Sequence, residues 1–336
     1  MQNLWNKILV VMLAAVLFAG IATIGVAEEP IKLGLAIPTQ TTERWVRDAE
    51  FAQDYCEELG IDILVQYAND DASRQLSQCE NLIAEGVDAL IIGAVDSTSA
   101  SSAVEMANSA GIPVVAYERI ILNCEYDVLV QFDNFKVGAQ QGQFVLENAP
   151  EGNYVILGGG PTDANSVVFH DGQMSAIQEA VDAGKINIVM DQYVPNWDPA
   201  EALSLMENAL SVANNDIQGV IATNDGIAGA CIEAMTAQGL TGVPISGQDV
   251  ELAAIQRIKE GTQSMSIFKD TRQLSKAAVD LAVQLVNGEK IAYDSEIDNG
   301  SGTMIPTVSL EATVITADNL DVLIEAGYYT EEDMNF

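Results

Sequence analysis

"IKLGLAIPTQTTERWVRDAE" (residues 31–50) is the stretch on which the fold turns. Seven residues, Ile31 to Ile37, form a nearly continuous apolar run, the mark of a strand buried on both faces of a parallel sheet. Five turn residues follow, and from Glu43 onward apolar residues recur at helical spacing, predicting a helix over 43–59. Arg44 and Trp45 stand where that strand ends and the helix begins. In open α/β sheets this is the place where ligands bind, outside the carboxyl ends of the strands.

The same alternation runs outward along the chain. "DILVQYA", "DALIIGA", "PVVAYE" and "DVLVQFD" read as strands, with helices over 72–85 and 98–110 and a long helix from Val137. A second series follows with "NYVILGG", "NIVMDQYV", "GVIATND", "PISGQD" and "SMSIFKD", with a helix after each of the first four. Then come a helix over 271–288, the turn "DNGSG", the stretch "MIPTVSLEATVIT" and a terminal helix. Two such series predict an α/β chain of two similar doubly wound, Rossmann-like domains.

The N-terminus reads as an export signal. "MQNLWNKILVVMLAAVLFAGIATIGVA" has one lysine, a long apolar run and small residues before "EEP", so residues 1–27 are expected to be removed after Ala27. The alternative is a retained membrane anchor, since the apolar run approaches spanning length. No cysteine stands near the cleavage point to carry a lipid. The protein is therefore expected outside the cytoplasm, in the periplasm or its equivalent.

A formal net charge of −35, from 49 acidic and 14 basic residues, argues against nucleic acid and anionic membranes as partners. Four cysteines in an exported chain raise the question of disulfides. Cys56 and Cys79 fall on the first two helices, which right-handed crossovers from the first strand carry to opposite faces of the sheet. They should lie too far apart to bond, and Cys124 and Cys231 read as small apolar residues too. No Cys/His spacing supports a metal.

Nearly every strand end carries a polar, charged or indole group: Arg44 with Trp45, Glu118 with Arg119, Asp163 and Asn165, Trp197, Asn224 with Asp225, Asp249, and Lys269. Any one of these could be a helix cap or turn former. Together, with two of the chain's three tryptophans, they describe a binding cleft. The set does not suit catalysis: the single histidine, His170, falls on a helix, and no GxSxG elbow, P-loop lysine or GxGxxG is present. The glycine-rich "GGGPTDAN" carries an aspartate where a phosphate would sit, and no stretch has the spacing of a calcium loop. No enzyme, cofactor or metal site is expected. A neutral polyol fits, because hydroxyls donate to Asp and Glu and accept from Arg, Lys and Asn, while indoles cover the C–H faces of a sugar ring.

These residues stand in "ERW" (43–45), "AYER" (116–119), "FDNFKVG" (132–138), "GNYVILGGGPTDAN" (152–165), "QGVIATND" (218–225), "ISGQD" (245–249) and "GTQSMSIFKD" (261–270). In this order and spacing, from about residue 31 to 330, the chain closely resembles the periplasmic sugar-binding proteins of bacterial ABC transporters, the family of the ribose and galactose receptors. The resemblance implies a type I periplasmic binding protein with three crossings between lobes, near 132–136, 264–269 and 298–305. The lobes would be residues 28–134 plus 269–302 and residues 135–268 plus 303–336. Sugar contacts would come from Arg44, Glu118, Arg119, Asp163, Asn165, Asn224, Asp249 and Lys269, with Trp45 and Trp197 as platforms on either side of the ring. The implied ligand is a monosaccharide, D-xylose ahead of ribose, glucose or galactose. The implied partner of the monomeric protein is a membrane permease with its ATPase, or alternatively a chemotaxis or histidine-kinase sensor. Two positions depart from the family pattern: Glu118 replaces the usual aspartate, and "PTQTT" (38–42) lacks charged residues.

Overall fold

A computed structural model describes residues 30–335; the expected signal segment, 1–27, lies outside the described residues. Strand β1 (Lys32–Ile37) shows how the first sheet is built. Leu33, Leu35 and Ile37 are 2% exposed or less and face helix α1 (Glu43–Leu59), while Ala36 faces helix α2 (Ala72–Ala84) on the other side. Burial of each such leucine or isoleucine contributes about 1.5–3 kcal/mol. Helix α1 stops at Gly60, whose φ of 69° allows its amide to close back on the Cys56 and Glu57 carbonyls.

The sheet continues through β2 (Asp62–Tyr67), β3 (Ala89–Ile92), β4 (Val114–Tyr117) and β5 (Val128–Phe132); with β10 (Ser295–Asp298) and β11 (Met304–Leu310) its spatial order is β10-β11-β5-β4-β3-β1-β2. Strand β1 pairs with both β2 and β3 in parallel, so the chain winds in opposite directions on either side of it. Helix α1 and helix α9 (Thr271–Val286) cover one face; α2 and α3 (Ser101–Ala110) cover the other. Cys56 is buried in the first of these cores and Cys79 in the second, on opposite faces of the sheet as the crossover argument requires.

A second parallel sheet, in the order β7-β6-β8, joins β6 (Gly152–Gly158), β7 (Ile186–Tyr193) and β8 (Gly219–Ala222). Bridges from Val220 to Ile245 and from Gln248 to Ile267 extend it. Helices α4 (Asn134–Asn148) and α5 (Ala164–Asp182) cover one face, and α6 (Pro199–Val212) and α7 (Asp225–Ala237) the other. The first two pack backbone to backbone: a Cβ on Gly138 would lie 2.0 Å from the Phe169 carbonyl oxygen. Helix α8 (Leu252–Glu260) follows, and then the short strand β9 (Ser266–Phe268).

One crossing differs from the expectation of a passage near 298–305 with everything after 303 in the second lobe. Instead β10 (Ser295–Asp298) and β11 (Met304–Leu310) form an antiparallel hairpin, and β11 pairs in parallel with β5 of the first sheet, Thr307 opposite Leu129. The chain leaves that sheet after Leu310, and β12 (Thr313–Ile315) pairs with β9. The polar break at Glu311, between two apolar runs, marks the change of sheet. The short helix α10 (Asp321–Glu325) follows. Among the described residues no helix is long and apolar enough to cross a membrane.

Candidate functional site

The strand ends of the two sheets meet around one cavity. Arg44 and Trp45 arrive on the first turn of α1, and Glu118 and Arg119 directly after β4. Asp163 and Asn165 open α5, Trp197 follows β7, Asn224 caps α7, Asp249 follows the Ile245 bridge, and Lys269 directly follows β9. All ten residues expected at the site line the cavity. Asp225, beside Asn224, turns away from it and accepts hydrogen bonds from Gln263, Ser266 and the Glu251 amide.

Glu118 is the centre of charge. Its φ of 61° is a left-handed conformation uncommon outside glycine, and its amide still donates to Val130 at 2.8 Å. Its Oε1 accepts from Arg44 Nη1 at 3.0 Å and from Lys269 Nζ at 2.8 Å. Arg44 Nη2 donates to Asp48 at 2.9 Å, and its Nη1 lies 3.6 Å from Asp249 Oδ1. Lys269 Nζ is 3.2 Å from that same oxygen, within ion-pair distance but without hydrogen-bond alignment. On the other side of Glu118, Arg119 Nε pairs with Asp163 Oδ2 at 2.9 Å.

Burial and charge compete at each carboxyl. Burial pushes Glu118 up, and the Lys269 ammonium and Arg44 guanidinium together pull it further down, to below its ordinary pKa. For Asp163 burial wins over Arg119, and its pKa is raised. Burial likewise holds Asp48 above its usual value despite Arg44. In these pairs three cations face four carboxylates, and Asp70 adds a fifth at the cavity wall, so the site has no excess of positive charge to hold an anion and suits a ligand with hydroxyls to donate.

Several buried polar atoms in the lining have no hydrogen-bond partner: the acceptors Glu118 Oε2, Gln248 Oε1 and Asp249 Oδ1, and the donors Arg44 Nε and Trp197 Nε1. Burying such atoms unpaired costs about 1–3 kcal/mol each, more when charged. A ligand bearing hydroxyls can satisfy both kinds. Counted out to its open mouth, the cavity holds about 460 Å³.

The two tryptophans differ. Trp45 is 4% exposed, with the Arg44 and Arg119 guanidinium carbons 4.6 and 5.1 Å from its ring centroid. Trp197 is half-buried and rests on the glycine run after β6, where a Cβ at Gly159 would fall 2.1 Å from its Cζ2. Asn165 also holds backbone in place. Its Nδ2 donates to the Glu118 carbonyl at 2.7 Å, and its Oδ1 accepts from the Ile120 amide at 3.4 Å. It therefore straps α5 to the loop after β4. Asp163 and Asn224 serve in addition as helix caps, accepting from the Asn165 and Ile227 amides.

The cavity also includes Thr39 and Thr42, Asp70, Phe169, Asn196 and Gln248, and Asp48 stands behind Arg44. Thr39 and Thr42 come from the uncharged "PTQTT" loop, and Gln248 from "ISGQD", so the sequence motifs contain them. Phe169 and Asp48 sit inside helices, where nothing local distinguishes them.

Comparison with known proteins agrees with this geometry. A family model described as a periplasmic binding protein domain matches residues 33–290. The D-xylose-binding periplasmic proteins of Escherichia coli and Haemophilus influenzae are each 40% identical over 306 residues, 90% of this chain and 92% of theirs. A solved ABC transporter solute-binding protein from Clostridium phytofermentans, with bound β-D-glucose, superposes with a TM-score of 0.85 at 29% identity. It covers 90% of this chain and 99% of its own.

Proposed function

Because the chain belongs to the periplasmic binding protein family, we propose that it is an exported receptor that captures a monosaccharide, D-xylose first, and delivers it to an ABC sugar permease and its ATPase. The two sheets with their helices act as lobes, residues 28–134 with 269–310 and residues 135–268 with 311–336, and the sugar lies between them. In this reading the protein works as a monomer and as a receptor without turnover.

The observation that carries the proposal is the cluster of buried charge around Glu118, together with acceptors on the cavity's lining residues that have no hydrogen-bond donor. Sugar hydroxyls donate to Glu118 Oε2, Gln248 and Asp249, and accept from Arg44, Arg119, Lys269 and Asn224. Trp197 and Trp45 flank the ring. Arg44 and Glu118 belong to the first lobe and Asp249 to the second, so a sugar held by all three favours the closed form. Hinge closure of this kind selects the state that makes both sets of contacts, and periplasmic binding proteins are themselves a standard example.

The 40% identity to two D-xylose-binding proteins supports xylose. A second reading, a hexose receptor, is favoured by the glucose in the Clostridium phytofermentans neighbour. A thermal-shift panel of pentoses and hexoses separates the two, because a ligand raises stability as RT ln(1 + [L]/Kd). A shift with xylose and none with glucose supports the first reading, and the reverse supports the second.

A further inference from the structure

Arg47 stands three residues beyond Arg44 on α1 and faces the last residues of the chain instead of the cavity. Its Nη1 donates to the Tyr329 hydroxyl at 2.5 Å, and its Nη2 donates to the Tyr328 carbonyl at 3.1 Å. Its guanidinium carbon lies 4.1 Å from the Tyr328 ring centroid and 4.5 Å from that of Tyr329. Tyr329 then passes the contact on, its hydroxyl donating to the Val250 carbonyl at 3.0 Å.

Val250 follows Asp249, and both hold positive φ, 47° and 88°. A β-branched residue rarely adopts that region, so this backbone needs an outside hold. The Val250 amide is fixed by Ser266 Oγ at 3.0 Å, and its carbonyl by Tyr329. The relay Arg47–Tyr329–Val250 thus ties the helix that carries Arg44 to the backbone that carries Asp249. Within the cavity those two side chains meet at 3.6 Å.

We propose that Arg47 and Tyr329 are positioning residues for the sugar site: a C-terminal clasp, outside the cavity, that sets Asp249 against Arg44 and Lys269. This rests on the reading of the cavity as a sugar site. The plainer role for Tyr329 is packing, since it also belongs to the apolar cluster of Ile255, Phe268 and Leu323. Packing and positioning differ in how they couple to Asp249.

The test uses Tyr329→Phe, which removes one hydroxyl and keeps the ring, in the full protein. Calorimetry with D-xylose should show Kd rising about three- to tenfold, the range for a lost hydrogen bond. Asp249→Asn should cost more, and the double variant no more than about twofold beyond Asp249→Asn alone, because the two act through one contact. Independent, multiplying losses would overturn the proposal. A second arm needs no sugar: amide hydrogen exchange at Asp249 and Val250 should quicken in Tyr329→Phe while β6 keeps its protection. Unchanged exchange at those two amides would also overturn it. If the wild-type protein binds no xylose, it is the xylose reading that fails, and the exchange arm decides the clasp by itself.

Discussion

Lys269→Met separates a ligand-binding lysine from a structural one, and the structure sets its magnitude. Lys269 is 1% exposed, with Nζ 2.8 Å from Glu118 and 3.2 Å from Asp249. Methionine fills most of the stem but leaves two buried carboxylates short of one cation. Removing one partner of a buried pair costs about 3–5 kcal/mol, and Arg44, still within reach of both carboxylates, places the loss near the lower end. The pH dependence has a definite sign. In the wild type Glu118 is held below its ordinary pKa, so it adds stability above the unfolded value near pH 4.3, lost as pH falls through the folded pKa. Without Lys269 the largest influence holding Glu118 down is gone, so its folded pKa rises and protonation relieves the buried charge at a higher pH than in the wild type. The destabilisation of Lys269→Met should therefore be largest near pH 7 and shrink towards pH 5. Xylose binding should weaken by about 1.5–3 kcal/mol, the value of a hydrogen bond to a charged group. Urea unfolding at both pH values, with calorimetry at pH 7, gives all three quantities. Wild-type stability and affinity together at pH 7 would refute the picture of Lys269 as a buried ion-pair centre at the ligand.

Two further substitutions probe the remaining walls. Gly159→Ala puts a methyl 2.1 Å from Trp197 Cζ2, so the indole must move; stability should fall by about 1–3 kcal/mol. Tryptophan fluorescence and xylose affinity should change with it, and unchanged affinity would remove Trp197 from the sugar contacts. Asp48→Asn keeps the shape behind Arg44 but loses the charge-assisted bond at 2.9 Å, costing about 1.5–3 kcal/mol of stability. Calorimetry should find weaker xylose binding too, and full affinity would mean that Glu118 alone orients the guanidinium.

The strand-to-helix passage at 31–50 is open to reading because period and apolarity are local properties. Every expected site residue falls at a strand end, where the fold rule for open sheets gathers them without knowledge of contacts. What the sequence withholds depends on distant partners. Nothing around Asp48 separates it from a solvated helix carboxylate until Arg44 turns towards it. Lys269 reads equally well as a surface charge, and only the approach of Glu118 and Asp249 buries it. The role of Asn165 as a strap and that of Arg47 as a clasp both require the tertiary structure, since their partners lie 47 and 282 positions away. The third crossing falls later than expected for a similar reason: an apolar stretch does not say which of two sheets it joins, and pairing with β5 decides that.

Isothermal titration of the purified protein with D-xylose, with D-ribose and D-glucose in parallel, tests the central claim most directly. One xylose should bind per chain with a Kd on the order of 1 μM, equivalent to roughly −8 kcal/mol. Ribose and glucose should bind far more weakly, since each leaves buried polar groups of the cavity unpaired or crowds them. No heat with xylose, alongside tight binding of either other sugar, would contradict it.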